Sequence, residues 1–145
     1  MNTVLTLLNP REAARHYASG AWREDTFYSL LRKHAEARPA ALALRDGRKR
    51  VSWKELLEWV DSTAETLHRA GLRRGDRVGV WLPSRCESVV AFLACARQGY
   101  VCNPSLHRNY TVEEILGLVK RIGARAIGES PSRWGQYACG ADASR

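Results

Sequence analysis

The alternation of predicted strands and helices between residues 76 and 127 narrows the fold of this chain more than any other feature. Three short apolar runs are separated by two segments of helical periodicity, and the connections between them are short. In chain order they are a strand at residues 76–83, a helix at 86–98, a strand at 100–103, a helix after residue 111 and a strand at 124–127. This order predicts a parallel sheet with right-handed crossovers.

Two helices and a hairpin are predicted before this unit. Apolar residues recur at helical spacing from Phe27, and Pro39 ends that helix near Arg38. Asp46-Gly47 lies between two extended runs, which predicts a β-hairpin, whereas residues 11–25 carry no clean period. The predicted fold class is α/β, with a partial parallel sheet, flanking helices and an N-terminal β-hairpin.

Three helix starts match the capping box, a Ser or Thr followed three residues later by Glu. The pairs are Ser52 with Glu55, Ser84 with Glu87, and Thr111 with Glu114. Because mutual capping accounts for both members of each pair, none of these residues is assigned a catalytic role. The predicted core face of the last helix consists of Ile115, Leu116, Leu118, Val119 and Ile122.

The composition excludes several classes of protein. The chain has 145 residues, of which 45% are hydrophobic and 26% charged, so it is not a disordered, collagenous or low-complexity chain. Its longest apolar run, residues 89–96, is far shorter than the roughly 20 residues that span a bilayer. No basic segment of a signal peptide precedes Pro10, so we expect a cytoplasmic protein without a membrane span. The cysteines form no Cys-x-x-Cys pair, and no metal site is expected.

The formal net charge of +8 raises nucleic acid as an alternative partner. The densest basic clusters lie at residues 45–50 and 69–77, in a predicted turn and at a helix end. Neither cluster has interleaved aromatic residues on which bases would stack. We therefore interpret these basic residues as solvent-exposed side chains of loops and helix ends, in preference to a nucleic-acid surface.

Parallel α/β sheets bind ligands beyond the carboxyl ends of their strands, which here places Ser84, Arg85 and residues 104–109 at the candidate rim. The N–H groups at the start of the helix after Ser84 offer a phosphate site, although plain helix capping is the favoured interpretation. His107 is the one histidine expected in a rim loop, and a surface role remains its alternative. No Gly-x-Gly-x-x-Gly or P-loop motif supports dinucleotide or P-loop chemistry.

Several segments together resemble one enzyme family. Residues 17–26 resemble the family's opening segment, and Asp46-Gly47 with residues 51–56 resembles its hairpin and second helix. Residues 72–83, Leu-Arg-Arg-Gly-Asp-Arg-Val-Gly-Val-Trp-Leu-Pro, are similar to its Gly-Leu-x-x-Gly-Asp-Arg-Val-x-x-x-Leu-Pro stretch. By this resemblance, which covers about residues 16–128, the chain is identified with the AMP-forming acyl-CoA synthetases and their adenylating relatives.

The resemblance implies a two-step ligase. ATP and a small carboxylic acid give an acyl-adenylate and pyrophosphate, and the thiol of CoA then displaces AMP. Mg²⁺ would neutralise phosphate charge. The family's phosphate loop and catalytic lysine match no position of this sequence, so no catalytic residue is assigned and no cofactor is expected on this segment alone. Some relatives of the family place arginines after this last strand, against the diphosphate of CoA. On that basis Arg133 is carried over as a CoA-binding residue, and it is the weakest of the candidates.

The resemblance also implies a division of the chain. Residues 1–15 are expected to form a poorly ordered leader, 16–128 the N-terminal part of an AMP-binding domain, and 129–145 an irregular, truncated tail containing Trp134 and Tyr137. We expect such an N-terminal fragment to be inactive alone. The alternative is a non-catalytic module that docks onto a partner chain completing the domain.

Overall fold

A computed structural model describes residues 9–104 and 109–128. Its elements in chain order are α1 (Pro10–Ala18), α2 (Phe27–Ala37), β1 (Leu42–Arg45), β2 (Arg50–Ser52), α3 (Trp53–Arg69), β3 (Arg77–Val80), α4 (Cys86–Gln98), β4 (Val101–Asn103), α5 (Val112–Ile122) and β5 (Ala124–Gly128). Residues 1–8, the loop residue His107 and the tail 129–145 with Arg133, Trp134 and Tyr137 lie outside the described residues.

The predicted parallel sheet is confirmed. Its strands lie in the order β4–β3–β5, and both pairings are parallel. Val78 in the central strand lies opposite Cys102 on one side and Ala126 on the other. Both strands next to β3 follow helices, so the chain reaches each of them by a crossover connection, as parallel strands require.

The predicted hairpin is confirmed as an antiparallel pair of β1 and β2. Leu44 lies opposite Val51, which is buried, and Arg45 lies opposite Arg50. The connection is four residues, 46–49, closed by a hydrogen bond of 3.0 Å that the Asp46 N–H donates to the Lys49 carbonyl. The hairpin therefore has one apolar face toward the helices and one charged face toward solvent.

The core forms two clusters that meet along α4. The first joins α2, α3, α4 and the hairpin, and its buried members are Leu31, Val51, Leu56, Val60, Ala64, Cys86, Val90, Leu93 and Ala94. The second lies between the end of α3, α4 and the sheet, and its buried members are Leu67, Leu72, Val78, Cys95, Tyr100 and Ala126. Helix α4 contributes to both clusters, because its sequence is apolar on nearly all sides and such a helix is buried.

Asp61 ties the three packed helices together through polar contacts. Its Oδ1 accepts a hydrogen bond of 2.8 Å from the Tyr28 hydroxyl and lies 2.9 Å from Nε of Arg97. The guanidinium of Arg97 also lies 5.7 Å from the centre of the Tyr28 ring. Burial, with the hydrogen bond to Asp61, raises the pKa of Tyr28, so this hydroxyl remains a donor.

Two of the three predicted capping boxes are present. Ser52 Oγ accepts from the Glu55 N–H, while Glu55 Oε2 accepts from the Ser52 N–H at 2.8 Å. Thr111 and Glu114 make the same pair of bonds. The prediction for Ser84 and Glu87 is wrong, because α4 begins after Arg85 and has no side-chain cap from its own segment.

Two further parts of the sequence behave differently from the prediction. A helix, α1, forms where no period was found, started by Pro10 and by Asn9, whose side chain accepts from the Arg11 N–H. None of its residues is buried, which explains the missing apolar period. In α5, only Ile115 is buried, whereas Leu116 is 60% exposed and was wrongly placed in the core.

Candidate functional site

The loop between β3 and α4 lies at the carboxyl end of the central strand, where ligands bind in parallel sheets. It carries Ser84, which is exposed, and Arg85, which is half-buried. Its path is held at one end by the Trp81 N–H, which donates to the Gly128 carbonyl at 2.8 Å. At the other end the Ser88 hydroxyl donates to the Pro83 carbonyl at 2.6 Å.

The N-terminus of α4 is capped by a carboxylate from the hairpin, 40 residues earlier in the chain. Oδ2 of Asp46 accepts from the Cys86 N–H at 3.1 Å. Oδ1 of the same side chain accepts from the N–H groups of Arg48 at 2.7 Å and Lys49 at 2.8 Å. These three backbone donors hold the pKa of Asp46 well below its usual range.

The true cap of α4 escaped prediction because its signal is not local. Ser84 and Glu87 have the spacing of a capping box, so the local sequence predicts that they cap α4. Asp46 looks like an ordinary residue of a tight turn. Only the packing of the hairpin against α4 shows that Oδ2 of Asp46 accepts a hydrogen bond from a second element.

Glu87, the residue predicted to cap, is instead a buried partner of Lys49. It is only 4% exposed, and its Oε1 lies 2.9 Å from Nζ of Lys49. The same ammonium lies 4.5 Å from the centre of the Trp59 ring. The second carboxylate oxygen, Oε2, has no hydrogen-bond partner among the described residues. The charge of Glu87 therefore depends on a single lysine for its compensation.

The start of α4 is not arranged as an open anion site. The carboxylate of Asp46 already fills the position that a phosphate would take at the Cys86 N–H, and its negative charge opposes a second anion there. The Ser88 N–H donates to the Arg85 carbonyl at 3.1 Å. Ser84 and Arg85 do lie together on the rim, and their role in ligand binding stays a prediction, as do those of His107 and Arg133 outside the described residues.

Cys86 offers no activated nucleophile at this site. Its side chain is buried, and burial followed by the hydrogen bond to Asp46 raises the pKa of its thiol. A raised pKa keeps the sulfur in its neutral, unreactive form. Cys86 and Cys95 are thus core residues, while Cys102 is half-buried.

The described residues do not assemble a site for a metal ion. Within residues 9–104 and 109–128, no three His, Cys, Asp or Glu side chains converge as ligands. The donor set that Mg²⁺ prefers, several carboxylate and carbonyl oxygens, is therefore not brought together by this part of the chain. No helix in the same ranges combines the length and apolar character needed to cross a membrane.

Comparison with known proteins identifies a family and shows how much of its members' length this chain covers. Residues 31–132 match the protein family described as AMP-binding enzyme. The chain is 36% identical over 115 residues to 2-hydroxy-7-methoxy-5-methyl-1-naphthoate–CoA ligase of Streptomyces carzinostaticus, covering 79% of this chain and 20% of that protein. It is 37% identical over 91 residues to a salicylyl-CoA synthase / salicylate adenylyltransferase of a Streptomyces species, covering 62% of this chain and 16% of the relative.

A solved structure shares the fold. The apo structure of Mycobacterium smegmatis MbtA superposes with a TM-score of 0.74 at 30% identity, over 84% of this chain and 23% of that one. The present chain therefore spans about a fifth of the length of the proteins it resembles.

Removing the shared cap should weaken the fold in a pH-dependent way. Folding lowers the pKa of Asp46 below its ordinary value of 3.8, so its carboxylate stabilises the fold fully above that value and loses the effect as pH falls below it. Asp46→Ala should therefore lower the free energy of unfolding most at about pH 6, and the difference from the wild type should shrink toward about pH 3. Urea unfolding across this range measures it. Glu58→Ala, which removes an exposed carboxylate 3.9 Å from Lys54, is the control. A difference that is constant with pH would contradict the assignment.

Breaking the Lys49–Glu87 pair from one side should cost more than removing both charges. Lys49→Met leaves the Glu87 carboxylate buried without its partner. Since the side chain of Lys49 is 46% exposed, we expect a loss of about 2 kcal/mol, below that of a fully buried pair. The double variant Lys49→Met with Glu87→Gln should recover most of that loss. Denaturant unfolding of both single variants and the double variant tests this, and strictly additive losses would refute the coupling.

Proposed function

We propose, since the chain belongs to the AMP-binding enzyme family, that it forms the first part of an ATP-dependent carboxylic acid–CoA ligase. The match of residues 31–132 to that family carries the proposal. It is supported by relatives whose names include a naphthoate–CoA ligase and a salicylyl-CoA synthase. The substrates of the whole enzyme would be ATP, a small carboxylic acid and CoA.

In the proposed reaction the acid and ATP form an acyl-adenylate and release pyrophosphate, and the CoA thiol then displaces AMP. When bound, Mg²⁺ would offset charge on the phosphates. The residues described here supply no site for it, and none of them is assigned a catalytic role. Their part is to build the central strand and the loop of residues 81–85 at its carboxyl end, held in place by Asp46 and Ser88.

A cytoplasmic location belongs to the same proposal. Within the described residues Cys86, Cys95 and Cys102 carry free thiols, which suits a reducing compartment. We also propose that the 145-residue chain is inactive alone, because the described residues bring together no catalytic set.

Exchange of segments tests the proposed enzyme role. The matched segment of the Streptomyces salicylyl-CoA synthase / salicylate adenylyltransferase is replaced by the aligned residues of this chain, and salicylate-dependent ATP–pyrophosphate exchange is measured. We expect the chimera to retain exchange above background, because the segment supplies scaffold rather than catalytic groups, and the isolated 145-residue chain to show none. A chimera with native circular dichroism and cooperative unfolding but no exchange would contradict the proposal. Exchange by the isolated chain would contradict its inactivity.

A second candidate function is a module that docks onto a partner polypeptide. It is favoured by exposed apolar residues on α5, Val112 and Leu116, beside a groove of about 720 Å³ between that helix and β5. Apolar surface of this kind marks interaction sites.

If α5 is the docking face, Leu116→Ser should abolish any association of the chain with itself or a co-expressed partner. The equivalent change of an exposed aromatic on α1, Tyr17→Ser, should have no effect. Sedimentation velocity at several concentrations provides the measurement. A wild-type chain that stays monomeric and captures no partner rules this candidate out.

A further inference from the structure

Two arginines face each other across the hairpin. Arg45 and Arg50 are directly paired in the register of β1 and β2, and both are exposed. Opposed residues of an antiparallel pair project from the same face with Cβ atoms about 5 Å apart, and like charges in that position destabilise the pair. The neighbouring pair, Leu44 and Val51, takes the opposite face toward the core. The hairpin therefore holds an unfavourable charge pair on its solvent side.

Nearby acidic groups do not relieve this repulsion. Both oxygens of Asp46 accept backbone N–H groups, and the ammonium of Lys49 is committed to Glu87. Among the described residues, no ion pair includes Arg45, Arg48 or Arg50. Three guanidinium groups thus stand within six residues without an anionic partner in the described part of the chain.

The arginines border an open depression at the tip of the hairpin. It has a volume of about 550 Å³ and is lined by residues 45–50. Gly47 is one of the lining residues and takes up little of this space, since even a Cβ added there would contact nothing within 4 Å. The depression therefore has room for a small anion beside the arginine side chains. The carboxylate of Asp46 also lies in its lining and already accepts the N–H groups of Arg48 and Lys49, so the guanidinium groups and not the backbone of the turn must hold the anion.

We propose that the hairpin tip binds a phosphate group, with Arg45 and Arg50 donating from two sides and Arg48 adding a third positive charge. The planar guanidinium matches phosphate oxygens in a forked geometry. A phosphate monoester carries about two negative charges at pH 7, enough to bridge two opposed cations, whereas a carboxylate carries one. Binding turns a repulsive cross-strand pair into a bridged one. The hairpin tip adjoins the start of α4 through Asp46 and Lys49, and the proposal does not depend on the proposed ligase activity.

Inorganic pyrophosphate is the first probe. Calorimetric titration of the whole chain, with ionic strength held constant by NaCl, measures its affinity. Arg45→Gln and Arg50→Gln should each weaken binding by about tenfold, because each removes charge-assisted hydrogen bonds to the anion. The control is Arg69→Gln, which removes one positive charge from α3, where the guanidinium lies 3.1 Å from Glu65, and should leave the affinity unchanged.

The unliganded variants separate binding from folding. Removing either member of a repulsive pair should leave the thermal midpoint without pyrophosphate equal to that of the wild type or higher. At one pyrophosphate concentration, the midpoint of the wild type should rise more than that of Arg45→Gln or Arg50→Gln. Equal loss of binding in Arg69→Gln, or a wild-type midpoint that responds only to ionic strength, would overturn the proposal.

A second arm identifies the source of the phosphate. Vesicles of phosphatidylcholine with phosphatidic acid, whose headgroup is a phosphate monoester, are compared with vesicles of phosphatidylcholine alone. Binding of free pyrophosphate through the two arginines assigns the site to a soluble phosphate, and binding of only the anionic vesicles through them assigns it to a lipid headgroup. Both results support a phosphate site. Binding of poly-glutamate by the same arginines, with pyrophosphate and vesicles inert, would refute it.

Discussion

The carboxylate of Asp46 is the contact on which the arrangement of the candidate site depends. One oxygen closes the hairpin turn, and the other caps the first N–H group of α4. A helix start without a partner for its N–H groups is unfavourable, and here no side chain of the helix's own segment provides one. The hairpin, a local structure, therefore becomes part of the sheet unit through one side chain.

The consequence reaches the rim of the parallel sheet. Because Asp46 fixes where α4 begins, it also fixes where the loop of residues 81–85 must end. The hydrogen bond between Ser88 and the Pro83 carbonyl then holds the backbone of that loop. The ion pair between exposed Lys49 and buried Glu87 connects the same two elements a second time. Together these contacts fix the end of the central strand and the loop that follows it.

Whether a contact could be predicted from the sequence depends on how many residues separate its two partners along the chain. Ser52 with Glu55 and Thr111 with Glu114 cap helices through neighbours three residues away, and the sequence pattern predicts both. The parallel order of strands follows likewise from alternation along the chain. The cap of α4 does not, since Asp46 acts across 40 residues. Leu116 misled the prediction because periodicity identifies an apolar face but does not say what covers it.

Amide hydrogen exchange at three backbone positions tests the central role of Asp46 most directly. We expect the N–H groups of Arg48, Lys49 and Cys86 to exchange slowly in the wild-type chain. All three should exchange faster in Asp46→Ala, while amides in the middle of α4 are the last to change. If Arg48 and Lys49 respond but Cys86 does not, Asp46 is only a turn residue, and the link between hairpin and helix is contradicted.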